Sequence, residues 1–279
     1  MASPGTAAAA PAGRPLIIGL GDSWFHYFAI DVFDVLNEEY GLDAVSLARE
    51  GTPLQALAED PEQLIQLEAL LAGSSARGRP PQAILLSAGG NDVVSPNLEL
   101  LLRLAPGQPV LDPALVAEWV DVNLREALTA VLDAITQLCI RHLGAPVPIL
   151  IHGYDDPVPD GRGLIGTAWR VWLKTGFEAR GYHYQQPPVE CIQAMAQLIS
   201  RFCAMHQSVA GLPRFQDHVH AVDLRGVWSS ADYRADLGNE LHPTPDGFRR
   251  VTKAIAQALL GAVPGLLDPR VVGRTGLRT

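Results

Sequence analysis

Five short apolar runs, at 15–21, 43–48, 83–88, 147–152 and 218–224, most limit what this chain can fold into. They are rich in Val, Ile and Leu, and Gly, Pro or polar residues bound them. Such runs suit strands buried on both faces of a parallel sheet. Between them lie segments with helical spacing, at 25–40, 53–71, 112–144, 189–207 and 246–260. Asp60 and Pro61 split the second of these, and Asp112 with Pro113 opens the third, since Asp caps a helix and Pro suits its first turn. Strands alternating with helices predict βαβ crossovers and an open parallel sheet covered on both faces.

Composition fits one such unit. Of 279 residues, 48% are apolar and 18% charged, too apolar and too weakly charged for a disordered chain. A single α/β domain is predicted over 15–263, with a flexible arm at 1–14 and a C-terminal tail at 264–279. A formal net charge of −9 argues against broad attraction to nucleic acid or anionic lipid. Cys139, Cys191 and Cys203 form no CxxC pair and are odd in number, which predicts buried thiols rather than disulfides or a zinc site. No signal peptide and no apolar window of 18 or more residues stands out, so a cytoplasmic protein without a transmembrane segment is expected. Nothing in the sequence signals an oligomeric state.

The stretch 154–188 fits the strand–helix rhythm poorly. It holds Pro157, Pro159, several glycines and the aromatics Trp169, Trp172, Phe177, Tyr182 and Tyr184. It reads as a lid-like insertion after the fourth strand, with a helix near 165–177. Loops at the carboxyl ends of such strands carry binding sites, so a lid or pocket wall fits, as does a satellite cluster anchoring a long loop.

Three segments at predicted strand ends carry polar groups suited to chemistry. Gly21-Asp22-Ser23-Trp24 ends the first strand, directly before a helical segment. Ser23 there suits either a nucleophile at the cleft or a helix cap. Gly89-Gly90-Asn91-Asp92 ends the third strand; its glycines permit close backbone approach, and Asn91 can serve as an oxyanion donor or as a loop cap. His242 lies in a Pro-stiffened loop after the fifth strand, where an imidazole can take a proton near neutral pH or stand at the surface.

Together these segments resemble the SGNH hydrolases, the GDSL-type esterases and lipases, over most of 15–260. Gly21-Asp22-Ser23-Trp24 is similar to the family's GDS segment, Gly89-Gly90-Asn91-Asp92 to its GxND segment, and His242-Pro243 to the end of its DxxH segment. Gly51, just past the second strand, best matches the family's remaining glycine. The resemblance implies a flavodoxin-like three-layer α/β/α sandwich around a parallel five-stranded sheet. It implies Ser23 as nucleophile and His242 as general base. The oxyanion hole would comprise the N–H groups of Ser23 and Gly51 with the Asn91 amide. No metal or cofactor is implied, and the expected partner is a small-molecule acyl ester.

The sequence departs from the family at its acid. Three residues before His242 stands Asn239, whose amide oxygen can orient the imidazole but cannot neutralise an imidazolium. Asn239 as a neutral orienter, Glu240 or Asp236 as a substitute carboxylate, and a backbone carbonyl all remain open. Trp24, His26, Tyr154, Trp169 and Trp172 are candidate substrate-pocket residues. The expected activity is cleavage of short- to medium-chain carboxylic esters through an acyl-enzyme. The alternatives are a weak or inactive ligand-binding protein, and a carbohydrate O-acetylesterase or thioesterase on the same site.

Overall fold

A computed structural model of the protein describes residues 13–94, 96–164, 170–228 and 233–278. Its elements run β1 (Leu16–Gly21), α1 (Val32–Glu38), β2 (Asp43–Ser46), α2 (Leu54–Glu59), α3 (Glu62–Ala76), β3 (Ala83–Ser87) and α4 (Asn97–Leu101). Next come α5 (Pro113–Val116), a π-helical segment (Ala117–Leu124) and α6 (Arg125–Leu143), which together form the long helical stretch expected from Asp112 onward. The chain continues through β4 (Ile149–His152), α7 (Lys174–Ala179), α8 (Val189–Ala210), β5 (Val219–Val222), α9 (Tyr233–Asp236), α10 (Pro245–Ala262) and α11 (Pro269–Thr275).

All five strands are parallel, in the order β2-β1-β3-β4-β5. Ile17, Ile18, Leu20, Ile84, Leu85, Leu86, Ile149 and Ile151 are all buried, because helices cover both faces of the sheet. Helices α1 and α10 pack on each other, while α3, α6 and α8 form the opposite layer. The result is the expected three-layer α/β/α sandwich. The strand order reverses beside β1, and the carboxyl ends of β1, β3 and β4 open there into a crevice.

Local chemistry moves some boundaries. The segment 25–40 is not one helix, because the Asp31 carboxylate accepts from the Phe33 and Asp34 N–H groups and starts α1 at Val32. The same carboxylate accepts from Tyr27 N at 3.1 Å, folding 25–30 into a loop. Asp112 caps α5 with Pro113 in the first turn, and Gly144 ends α6 in the left-handed conformation. Of the helix expected at 165–177, α7 forms the C-terminal part, and 165–169 lie outside the described residues. So do residues 1–12 of the expected arm. The C-terminal segment contains α11, with Leu267, Val272 and Leu277 buried. Cys139, Cys191 and Cys203 are buried and unpaired. Among the described residues, no helix is long and apolar enough to cross a membrane.

The end of β1 shows why its last residue is glycine. Gly21 has φ +127°, and a Cβ there would fall 1.7 Å from the Ser87 carbonyl oxygen of β3. That close approach lets Asp22 N donate to Ser87 O at 2.9 Å, binding the turn after β1 to the neighbouring strand end. The buried Gln63 amide brackets the same residue, accepting from Gly21 N at 2.7 Å and donating to Gly21 O at 3.0 Å. Gly21→Ala is therefore expected to cost about 2–4 kcal/mol through backbone strain and overlap. Urea unfolding of the two proteins measures this, and a loss below about 1 kcal/mol would contradict the packing described.

Candidate active site

Ser23 and His242 are 219 residues apart in sequence, yet Ser23 Oγ lies 2.7 Å from His242 Nε2. Both side chains are buried at the carboxyl edge of the sheet. Ser23 sits in a turn, since α1 begins only at Val32; its N–H therefore belongs to a strand-end turn and not to the helix start expected from sequence. His242 is carried by the loop before α10, whose start is fixed by Thr244 capping Gly247 N, with Pro245 in the first turn.

The network around Asn239 assigns the imidazole tautomer. Asn239 Oδ1 accepts from the backbone N–H groups of Leu241 at 2.9 Å and His242 at 2.8 Å, which identifies it as the carbonyl oxygen. It also lies 3.2 Å from His242 Nδ1. An acceptor there requires Nδ1 to carry the proton, so Nε2 is free to accept from the Ser23 hydroxyl. Asn239 is thus the group on the imidazole. Glu240 turns away and accepts from the N–H groups of Gly161, Trp172, Leu173 and Lys174. Asp236 pairs with Arg250 at 3.2 Å.

Among the described residues no carboxylate contacts the ring, and its setting is apolar. The Tyr27 ring stacks on it with centroids 4.4 Å apart and planes 14° apart, and Trp172 meets it edge-on at 5.6 Å. Tyr27 OH accepts from Asn239 Nδ2 at 3.3 Å. Burial penalises the imidazolium and pushes the His242 pKa down to about 4.

Asp22 forms the polar floor. It is fully buried and accepts from the Ser87 hydroxyl at 2.6 Å, the Tyr154 hydroxyl at 2.8 Å and Trp24 N at 3.1 Å. Burial raises its pKa to about 6, opposed by these hydrogen bonds. Asn91 Nδ2 lies 3.5 Å from Asp22 Oδ2 and 3.3 Å from Thr52 O, so the amide is held at the cleft beside the turn carrying Ser23. Asp92 instead accepts from Leu54 N and Gln55 N and caps α2.

These groups face a narrow cleft lined by Asp22, Ser23, Asn91, Tyr154 and His242. Its remaining wall is largely apolar, including Val93, Val94, Leu173, Met195, Ile199 and Trp228. Of the expected pocket residues, Trp24 and Tyr154 line the cleft, and Trp172 stands against His242. Trp169 lies outside the described residues. His26 is exposed, because the loop at 25–30 replaces the helical turn that would have aimed it inward. Gly51 is also exposed and lines a separate surface depression with Arg49 and Glu62. The insertion contributes Pro157 and Leu173 to the cleft wall. Sequence reasoning missed Tyr27, Met195 and Ile199. The last two lie four apart on the buried face of α8, a helical spacing that marks a common face but not its neighbour.

No protein-family model matches the sequence, and no curated protein matches it. Solved structures do match. The lipase Lip_vut3 from a goat rumen metagenome aligns with TM-score 0.53 and 12% identity, over 91% of this chain and all 100% of that one. Est24, a carbohydrate acetylesterase from Sinorhizobium meliloti, aligns at TM-score 0.49 and 12% identity, over 89% of this chain and 99% of its own. AlinE4, an SGNH-hydrolase family esterase, aligns at TM-score 0.41 and 18% identity, over 92% and 100% of the two chains. At 12% identity the likeness to Lip_vut3 is one of fold, and it spans the whole sandwich.

The electrostatics give a signed expectation. In the native protein His242 stays neutral until the pH falls to about 4. Asn239→Asp would place an anion against Nδ1, favour the imidazolium and raise the titration midpoint to about 6 or above. NMR titration of the imidazole measures both midpoints. An unmoved midpoint would mean that residue 239 does not face Nδ1.

Proposed function

We propose that this chain is an SGNH-type serine hydrolase that cleaves a carboxylic ester of an uncharged acyl group. The observation carrying this reading is the buried Ser23–His242 hydrogen bond at the mouth of an apolar cleft. A serine hydroxyl is a weak nucleophile until a base accepts its proton. His242 Nε2 is within reach of that proton, and the tautomer fixed by Asn239 leaves it free to take it.

In the proposed reaction Ser23 Oγ attacks the ester carbonyl while His242 takes the hydroxyl proton. The tetrahedral oxyanion is met by Asn91 Nδ2 and the Ser23 N–H, donors worth on the order of 10²- to 10³-fold each in rate. The expected contribution of the Gly51 N–H would require 49–52 to lie against the cleft when substrate is bound. Collapse of the intermediate expels the alcohol, which takes the proton from His242 and leaves an acyl-enzyme on Ser23. Water then attacks the acyl carbonyl with His242 again as base, releasing the acid and restoring the hydroxyl.

The missing carboxylate changes the energetics of each proton transfer. An imidazolium held only by an amide dipole is a stronger acid, so it passes its proton readily to the leaving alcohol but takes it less readily from serine. The apolar cleft wall favours a short- to medium-chain acyl group over a charged or sugar-borne one. The same departure from the family acid leaves a non-catalytic binder as the competing reading.

A fluorophosphonate probe separates them. The wild type is expected to label at Ser23, and Ser23→Ala to abolish both labelling and hydrolysis of nitrophenyl esters from acetate to decanoate. Absence of labelling and of hydrolysis in the wild type would sink the enzyme reading. With a free-enzyme base that protonates near pH 4, kcat/KM should stay level from neutral pH downward and fall only as pH approaches that value. An acid limb at pH 6–7 would contradict the buried, uncompensated imidazole.

A further inference from the structure

Glu240, beside the cleft, accepts four backbone hydrogen bonds, and none of its bonds serves the imidazole directly. Its side chain is fully buried. Oε1 accepts from Gly161 N at 2.9 Å and Lys174 N at 3.0 Å, and Oε2 accepts from Trp172 N and Leu173 N, each at 2.8 Å. Glu240 N in turn donates to Arg162 O at 3.1 Å. Two nearby cations have other partners: Arg162 bonds Asp160 and Leu237 O, and Lys174 pairs with Glu178 and lies over the Tyr184 ring. The carboxylate is therefore a clasp for backbone N–H groups, charge-assisted and buried.

Two of the clasped residues reach the chemistry. Trp172 presents its ring edge to His242 at 5.6 Å, and Leu173 is part of the cleft wall. On the other side of the imidazole, Tyr27 stacks at 4.4 Å. The ring is thus held between two aromatic side chains. One sits on the loop before α1, and the other depends on Glu240, the residue next to Asn239. At Nδ1 the Asn239 bond of 3.2 Å is a weak restraint, and packing on two sides adds to it and to the Ser23 bond at Nε2.

We propose that Glu240 is a positioning residue for His242, clasping the backbone at 161 and 172–174 so that Trp172 closes over the imidazole. The inference rests on the hydrolase reading only for its effect on rate. Removing one acceptor oxygen, as in Glu240→Gln, sets an amide NH2 against two of the four N–H donors in either orientation and loosens the clasp that carries Trp172. The imidazole then gains water on that side. Among the described residues, the side chains in contact with His242 are Ser23, Asn239, Tyr27 and Trp172, none of which carries a formal charge at neutral pH.

The test compares the full-length wild type with Glu240→Gln, Trp172→Ala and the double variant. Imidazole titration is followed by NMR, with the His242 signal identified by its loss in His242→Ala, alongside kcat on a nitrophenyl ester. Each single variant should titrate about one pH unit higher at His242, as a partly resolvated imidazole does. Each should also lose about 10- to 100-fold in kcat from a misplaced ring. The double variant should move no further than Trp172→Ala alone, since both act through the same ring. A separate structural anchor would instead give additive effects, or a loss of thermal stability with the midpoint unmoved; either overturns the proposal. If Glu240→Gln does not fold, Trp172→Ala decides alone, and an unmoved midpoint there is fatal. Shifted midpoints in a protein that hydrolyses nothing would refute the hydrolase reading and leave the clasp standing. Hydrolysis with unmoved midpoints would do the reverse.

Discussion

The Ser23–His242 bond depends on two ends of the chain arriving at one sheet edge. Ser23 follows β1 and His242 follows β5, separated in the sheet by β3 and β4. A hydrogen bond of 2.7 Å tolerates little error, so every strand between them must be in register and every turn at the edge must be fixed. Gly21 is the tightest of those fixtures. Its missing Cβ brings the backbone of β1 against Ser87 of β3, and the turn carrying Asp22 and Ser23 is aimed from there.

Among the described residues no counter-charge faces the buried His242 imidazole, and the surroundings accommodate that. Desolvation keeps the His242 imidazole neutral, which readies it as an acceptor. In the proposed reaction the cost falls on the imidazolium formed during attack. Asn239 supplies a dipole toward Nδ1, while Tyr27 and Trp172 supply contact. The same asparagine oxygen ties down the backbone of Leu241 and His242, so one side chain fixes both the loop and the ring it carries.

Several acids around the cleft bind backbone N–H groups, although Asp22 also holds the Ser87 and Tyr154 hydroxyls. Asp22 accepts from Trp24 N, and Asp92 from Leu54 N and Gln55 N. Asp155 accepts from Gly226 N and Trp228 N, and Glu240 from four N–H groups of the insertion. Loops at a sheet edge leave many N–H groups without ladder partners, and burying them unpaired would cost more than any single packing contact recovers. Carboxylates answer that need.

The sequence by itself determined the sandwich. Five apolar runs, helical spacing between them, and Ser23, Asn91 and His242 at strand ends were legible because buried parallel strands and edge turns leave periodic, local marks. It also narrowed the orienter of His242 to Asn239, Glu240, Asp236 or a backbone carbonyl, but spacing does not say which way adjacent side chains turn in a loop. Only the tertiary structure decided that, by giving Glu240 four backbone donors from the insertion and leaving Asn239 on the ring. It likewise turned His26 outward and Tyr27 onto the imidazole, because Asp31 starts α1 at Val32, seven residues later than periodicity suggests. Those outcomes rest on contacts between segments far apart in the chain, which no local pattern records.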